Sequence, residues 1–305
     1  MKKEQPIISL CIPTYNRSKA LEALLDSILL EDVDKNLYEI CIADDSTNHE
    51  TEKMVQEYTE RYQNVLYKKN TERLKYMNMI NVLRMGKGKL LKLNNDYLKY
   101  QPGALETMID DIRRCDEENT FIIFAKTYSK QNVITFTSLS QLMKVVTYHI
   151  TWCSSFAMWK KDFDECWAKN VSVDPFFPHM DLLFKMKEKT KYIVYGKNYY
   201  AIQKIGFQGG YHFPKEFGEH FLDMIYELRK DDRIDQETWD DIKSDTVKLI
   251  ARSHARQVKS PKRYGCYYDE VYKYLLKYNK PVSVIRYIYL FLFYFLVERK
   301  TESDT

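Results

Sequence analysis

The chain has 305 residues, of which 45% are apolar and 30% charged, with 8 Pro and only 9 Gly. Such a composition can bury a sizeable core, which excludes a disordered, collagen-like or disulfide-dense chain. The formal net charge of +4 is too mild to argue for a nucleic-acid partner. The length suits two domains, or one large α/β domain with a helical appendix.

The first ~125 residues alternate strand and helix patterns. Ile7–Ile12 is a continuous apolar run, suited to a strand buried on both faces. Pro13-Thr14-Tyr15-Asn16-Arg17 breaks it, and Ser18 is placed to cap a helix with the apolar stripe Leu21, Leu24, Leu25, Ile28 and Leu29. Tyr38–Ala43 reads as a second strand and ends at Asp44-Asp45-Ser46-Thr47-Asn48; a polar helix follows over His49–Tyr62. Val65–Tyr67 is a short strand, Met77–Met85 a helix, and Lys89–Leu93 a strand ending in Asn94-Asn95-Asp96. Gly103–Cys115 reads as helix and Phe121–Ala125 as a fifth strand.

Strands alternating with helices predict a mostly parallel sheet with right-handed crossovers and helices on both faces. Ligands of such sheets bind beyond the carboxyl ends of the strands. Thr14–Arg17, Asp44–Thr47 and Asn94–Asp96 all stand at such ends, so the fold gathers them at one rim. Carboxylates there hold a hard cation shared with a diphosphate, or accept hydrogen bonds from a base or ribose hydroxyl. Equally, strand-end Asp residues serve as turn formers and helix caps.

Further on, Phe156–Trp159, Tyr192–Tyr195 and Tyr199–Gln203 read as strands, and Phe177–Lys187 as a helix. From about residue 215 the pattern is helical, over about 215–230, 235–258, 266–279 and 282–298. The last segment is almost wholly apolar or aromatic, yet short of the ~20 residues a membrane-spanning helix needs. Between residues 251 and 286 nine Lys and Arg face two acidic residues, and nine of the 25 Tyr lie beyond Arg263. Basic residues beside an aromatic helix suit a membrane interface; burial against the remainder of the chain, or a homodimer seam, is the competing use. The six cysteines stand at no CxxC spacing and do not cluster with His, so no zinc site is expected. Free cysteines and an N-terminus without an apolar segment give the expectation of a cytoplasmic protein.

No G-x-G-x-x-G follows the first strand, and neither a P-loop nor a G-x-S-x-G elbow occurs. Gly86-Lys87-Gly88-Lys89 precedes a strand and so reads as a turn, not a phosphate cradle. Instead, Ile7 to Arg17 resembles the opening strand and loop of family-2 glycosyltransferases, which have the GT-A fold. Glu39 to Thr47 resembles that family's second strand and acidic nucleoside-binding turn. Asn78 to Asp96 resembles the stretch leading into its metal motif, and Pro102-Gly103-Ala104-Leu105 follows in order. The resemblance covers about the first 110 residues well and 150–215 loosely.

It implies an inverting, metal-dependent glycosyltransferase of bacterial surface-glycan assembly. The catalytic domain would span 1–213, with a nucleotide-sugar half at about 1–110 and an acceptor half at about 126–213. Residues 214–305 would form a helical appendix. Pro13, Thr14, Tyr15 and Arg17 would line the nucleotide pocket, and Asp44 and Asp45 would bind the base. Asp96 would hold Mn²⁺ or Mg²⁺, with His212 as a late metal ligand. The motif departs from the usual acidic triplet: Asn94 and Asn95 precede a lone Asp96, so metal binding would lean on the substrate diphosphate. Asp181, at a helix start after Pro178, would be the general base, with Asp174 as runner-up. Trp152, Ser154, Ser155, Asn95 and His179 are the acceptor-side candidates, and Lys204 is a weaker phosphate candidate. A flexible Gln208-Gly209-Gly210 segment would close over the diphosphate. The donor would be a nucleotide sugar, with UDP expected, and the acceptor a glycan or polyprenyl-diphosphate-linked oligosaccharide at the inner face of the cytoplasmic membrane. The alternatives are a nucleotidyltransferase, or a non-catalytic nucleotide-sugar-binding or scaffold protein.

Overall fold

A computed structural model describes residues 4–124, 131–169, 172–203, 210–261 and 265–297. The chain divides into two compact units: residues 1–138 with 149–205, and residues 139–148 with 206–305. The sequence placed that boundary at 213 and did not separate 139–148 from the catalytic part.

In the first unit, strands β1 (Ile8–Thr14), β2 (Tyr38–Asp44), β3 (Val65–Lys69), β4 (Leu90–Leu93) and β8 (Ala157–Trp159) form a sheet in the order β3-β2-β1-β4-β8. All its pairings are parallel except β4 with β8. β1 is central, and every residue of β2 is buried. This is the environment that their largely apolar sequences require. Helices α1 (Ser18–Leu29), α2 (Glu50–Arg61) and α3 (Asn78–Met85) make the crossovers. The α1 stripe Leu21, Leu24, Leu25 and Ile28 is fully buried and packs with Ile8, Leu10, Ile40 and Ile42. Ser18 is the first helical residue of α1, not its cap; Arg17 takes the cap position without a side-chain cap bond.

The structure places the Phe121 segment differently from the simple alternation. β6 (Thr120–Phe124) does not extend the main sheet. It pairs in parallel with β9 (Lys191–Tyr195), which also pairs antiparallel with β7 (Val133–Phe136). β5 (Leu98–Tyr100) pairs antiparallel with β10 (Tyr200–Ile202). Helices α4 (Ala104–Arg113), α6 (Lys160–Ala168) and α7 (Pro178–Lys185) complete the unit. Beneath the rim, buried Glu39 accepts from Ser9 Oγ (2.6 Å), Gly88 N (3.0 Å) and Lys87 N, which latches the Gly86–Lys89 turn to the sheet.

The second unit is helical. α5 (Leu139–Val146) belongs to it because Ser140 Oγ bonds Asp235 Oδ2 at 2.9 Å and Lys144 pairs with Glu237. Helices α8 (Phe213–Lys215) and α9 (Leu222–Lys230) flank a π-helical stretch at Glu216–Phe221, and α10 (Gln236–Lys259) carries Asp235 as its N-cap. The helix expected over 266–279 is shorter, Val271–Leu276, and a terminal helix runs from Val282 to Val297.

Candidate active site at the carboxyl rim of the sheet

Register brings the strand ends together. Thr14 pairs with Asp44 across β1 and β2, Cys11 pairs with Leu93 across β1 and β4, and Asn94 N bonds Cys11 O at 2.8 Å. The loop after β1 turns through Asn16 at φ 51°, a left-handed conformation that Asn tolerates better than most residues. This lets Asn16 N donate to Ser46 Oγ (2.8 Å) and Asn16 Oδ1 accept from Thr47 N (3.0 Å). The first two loops are thereby tied to each other. Pro13 sits in register with Ala43 beside them.

Asp96 joins the third loop to the first. Its Oδ2 accepts from Thr14 Oγ1 at 2.8 Å, and its Oδ1 accepts from Arg17 Nη1 at 2.9 Å. The side chain is 2% exposed. Burial pushes its carboxyl above the usual carboxylate range, against the pull of Arg17 and Thr14. Asp44 and Asp45 are also engaged. Asp44 Oδ1 accepts from Ser46 N, and its Oδ2 accepts from Tyr67 Oη and Lys69 Nζ. Asp45 Oδ1 accepts from Asn70 Nδ2 (2.6 Å) and its Oδ2 from Lys75 N (2.8 Å), which draws the segment after β3 over the rim. That segment carries Arg73, whose guanidinium lies 4.0 Å above the Tyr15 ring. The rim therefore presents an aromatic face and the cations Arg17, Lys69 and Arg73, a combination suited to a base and a diphosphate.

A resident divalent ion does not fit these groups as they stand. Asp96 already has a cation and a hydroxyl on its two oxygens. Asn94 Oδ1 accepts from Tyr100 Oη at 2.8 Å, and Asn95 Oδ1 accepts from the Cys153 thiol. Among the described residues no three His, Cys, Asp or Glu side chains converge to hold a metal. His212 lies in the second unit. There its Nδ1 accepts from Lys215 N at 3.1 Å and its Nε2 stands 3.4 Å from Asp269 Oδ2. Lys204, Gln208 and Gly209 fall outside the described residues.

The acceptor-side candidates form a frame. Ser154 Oγ accepts from Asn95 N at 2.8 Å, and Ser155 Oγ donates to Trp152 O at 2.7 Å, so both hydroxyls hold the chain in place. Trp152 stands edge-on to Tyr200. His179 is a buried ring whose Nε2 lies 3.1 Å from Thr151 O, fastening α7 to the same loop. A carbonyl accepts, so Nε2 carries the proton; Nδ1 has no partner among the described residues. Burial lowers the pKa of this ring to about 4 and keeps it neutral.

On α7, Asp181 Oδ2 accepts from Asp174 N and from Lys185 Nζ, both at 2.7 Å. Its Oδ1 has no hydrogen-bond partner among the described residues. Asp174 Oδ1 accepts from Phe176 N and Phe177 N, so that carboxylate shapes the turn before α7.

Sequence reasoning missed Lys92. It is fully buried in β4, donates to Ser154 O (2.7 Å) and Leu93 O (3.0 Å), and lies over the Phe124 and Tyr200 rings. Burial lowers its pKa to about 7. The signal was one charge inside the apolar run Leu90-Leu91-Lys92-Leu93. Arg73, Asn70 and Asn78 were missed as well, because only the folded chain brings them to the acidic turn.

A mostly parallel sheet whose carboxyl rim gathers acidic, cationic and aromatic groups is the arrangement with which α/β proteins bind nucleotide ligands. Residues 9–167 match the family model for glycosyl transferase family 2, and the chain belongs to that family. It is 33% identical over 122 residues to the abequosyltransferase RfbV of Salmonella typhimurium, a match spanning 37% of each chain. The fold is similar to the crystal structure of S. aureus TarS 1-349, with a TM-score of 0.54 at 15% identity, covering 93% of this chain and 80% of that one. TarS 1-349 in complex with UDP-GlcNAc gives the same TM-score at 14% identity, covering 84% and 87%.

Proposed function

We propose that the protein transfers a sugar from a nucleoside-diphosphate donor to a hydroxyl of a glycan acceptor, with inversion, in bacterial surface-polysaccharide synthesis. The observation that carries the reading is the Thr14–Asp96–Arg17 cluster at the rim, beside the Asp44-Asp45 turn. The abequosyltransferase relative supports sugar transfer, and the UDP-GlcNAc complex of the similar fold supports UDP as the donor nucleotide.

In this reading Tyr15 and Arg73 part to take the base between them, and Asp45 reaches it from the side. Arg17 sits where negative charge grows on the departing diphosphate. Asp181 Oδ1 accepts the proton of the acceptor hydroxyl as that oxygen bonds to the anomeric carbon. The carbon–oxygen bond to the diphosphate breaks, and its electron pair leaves on phosphate. Attack from the face opposite the leaving group gives inversion. The frame from Asn95 through Ser154 and Thr151 to His179 holds the base helix in register with the donor loops. A divalent ion (Mn²⁺ or Mg²⁺) would arrive on the donor diphosphate and is not a resident of the apoprotein. The acceptor is a lipid-linked oligosaccharide presented at the cytoplasmic face of a membrane.

Thermal melts with UDP, GDP, CDP and dTDP, each with and without Mn²⁺, test the reading. One nucleotide should raise the melting temperature, since a ligand at 100 times its Kd adds about 2.7 kcal/mol. Mn²⁺ alone should leave it unchanged, and Arg17→Ala should weaken the nucleotide effect. If none of the four nucleotides raises it, the reading fails.

A further inference from the structure

The terminal helix carries this inference. Val282–Val297 has one buried residue, Tyr287, whose hydroxyl meets His254 Nδ1 of α10 at 2.5 Å. Phe291 packs 4.9 Å from the same imidazole, and Tyr268 stacks on it at 4.4 Å. These contacts fasten one side of the helix. The other side is open, with Ile285 69%, Tyr289 67% and Leu296 79% exposed. At about 100° per residue, the exposed apolar positions run from Phe295 through Ile285 and Tyr289 to Val297, an arc of roughly 200°. Arg286 is the one charge within that arc, and no acidic residue occurs from 282 to 297.

Three features decide what covers this face. The first is its width: a helix–helix seam uses a stripe on the order of 100°, so a second copy would leave half of the arc in water. The second is its length. Sixteen residues reach about 24 Å, short of a ~30 Å hydrocarbon core, and no helix among the described residues is long and apolar enough to cross a membrane. The third is charge. From α10, Arg252 lies 5.7 Å over Tyr294 and Lys259 5.3 Å over Phe295, so cations edge the apolar face. A wide apolar face fastened along its back and edged by cations suits a planar, anionic, apolar partner.

We propose that the exposed face of the terminal helix docks the protein flat on an anionic lipid surface. This deepens the membrane-side part of the functional reading and is independent of sugar transfer itself. The test is flotation of the full chain with phosphatidylcholine vesicles and with vesicles that also contain phosphatidylglycerol, at low and raised salt. The comparison protein carries Ile285→Glu, Leu292→Glu and Leu296→Glu together, positions whose exposure leaves the fold intact; its melting temperature serves as the check. The wild type should float with the phosphatidylglycerol vesicles, less so at raised salt. The triple variant should float at least about tenfold less. No flotation of the wild type, or equal flotation of the variant, overturns the proposal. So does light scattering that finds a lipid-free dimer which the triple variant dissociates while neither protein floats, because the face then belongs to a second copy. Nucleotide-induced melting shifts, read on the same samples, report on the transfer reading alone.

Discussion

His179 gives a pH dependence whose sign and size follow from its surroundings. Its imidazole is buried against Phe156, with Nε2 on Thr151 O and Nδ1 unpartnered among the described residues. The pKa falls from 6.5 to about 4. Between those values the unfolded chain binds a proton that the folded chain refuses, so stability falls as the pH is lowered from 6.5 to 4. At 1.36 kcal/mol per pH unit, integrating over that window gives a loss of about 2.5 kcal/mol. His179→Phe keeps a ring against Phe156 and removes the titration. At neutral pH it loses one hydrogen bond, about 1 kcal/mol, and also removes the unpartnered nitrogen. Urea unfolding at several pH values, in a Trp239→Phe background, would follow only Trp152, Trp159 and Trp167 of the first unit. The wild type should lose about 2.5 kcal/mol more than the variant on acidification. Parallel pH curves would refute the reasoning.

Lys92 predicts the opposite limb. Its pKa of about 7 means that the unfolded chain holds a proton the folded chain has released as the pH rises. The wild type should gain about 2 kcal/mol between pH 7 and 9, and Lys92→Met should stay flat in the same unfolding assay. Gly88→Ala would place Cβ 2.7 Å from Ile8 C and Ser9 N, backbone atoms that cannot step aside. It should destabilise by about 2 kcal/mol, visible in the melting temperature. Gly103→Ala meets open space but a φ of +73°, and should cost about 1 kcal/mol.

The order β1-α1-β2-α2-β3-α3-β4 was legible because each strand is a short, largely apolar run ended by a polar turn. The rim followed from topology alone, since parallel strands must end together. Where the Phe121 run belonged was not legible: such a run demands burial on both faces without naming a partner, and Tyr192–Tyr195 claimed it. α6 escaped notice because Lys160 to Ala168 is short and charged, with only Asp162, Phe163 and Cys166 buried. Residues 139–148 join the second unit through Ser140 and Lys144, contacts with residues nearly a hundred positions away that no local pattern reveals. In the site, the acidic turns were legible as residue types, but not their partners. Nothing in Asn94-Asn95-Asp96 announces that Thr14 and Arg17 already occupy the carboxylate.

The central claim is that Asp181 draws the proton from the attacking hydroxyl while the rim holds the donor. The most direct measurement follows nucleoside diphosphate released from the nucleotide sugar that binds, for wild type and Asp181→Asn, with nucleotide affinity determined on both. The account predicts release falling by roughly 10²- to 10⁴-fold in the variant with affinity unchanged. Release at the wild-type rate would contradict it.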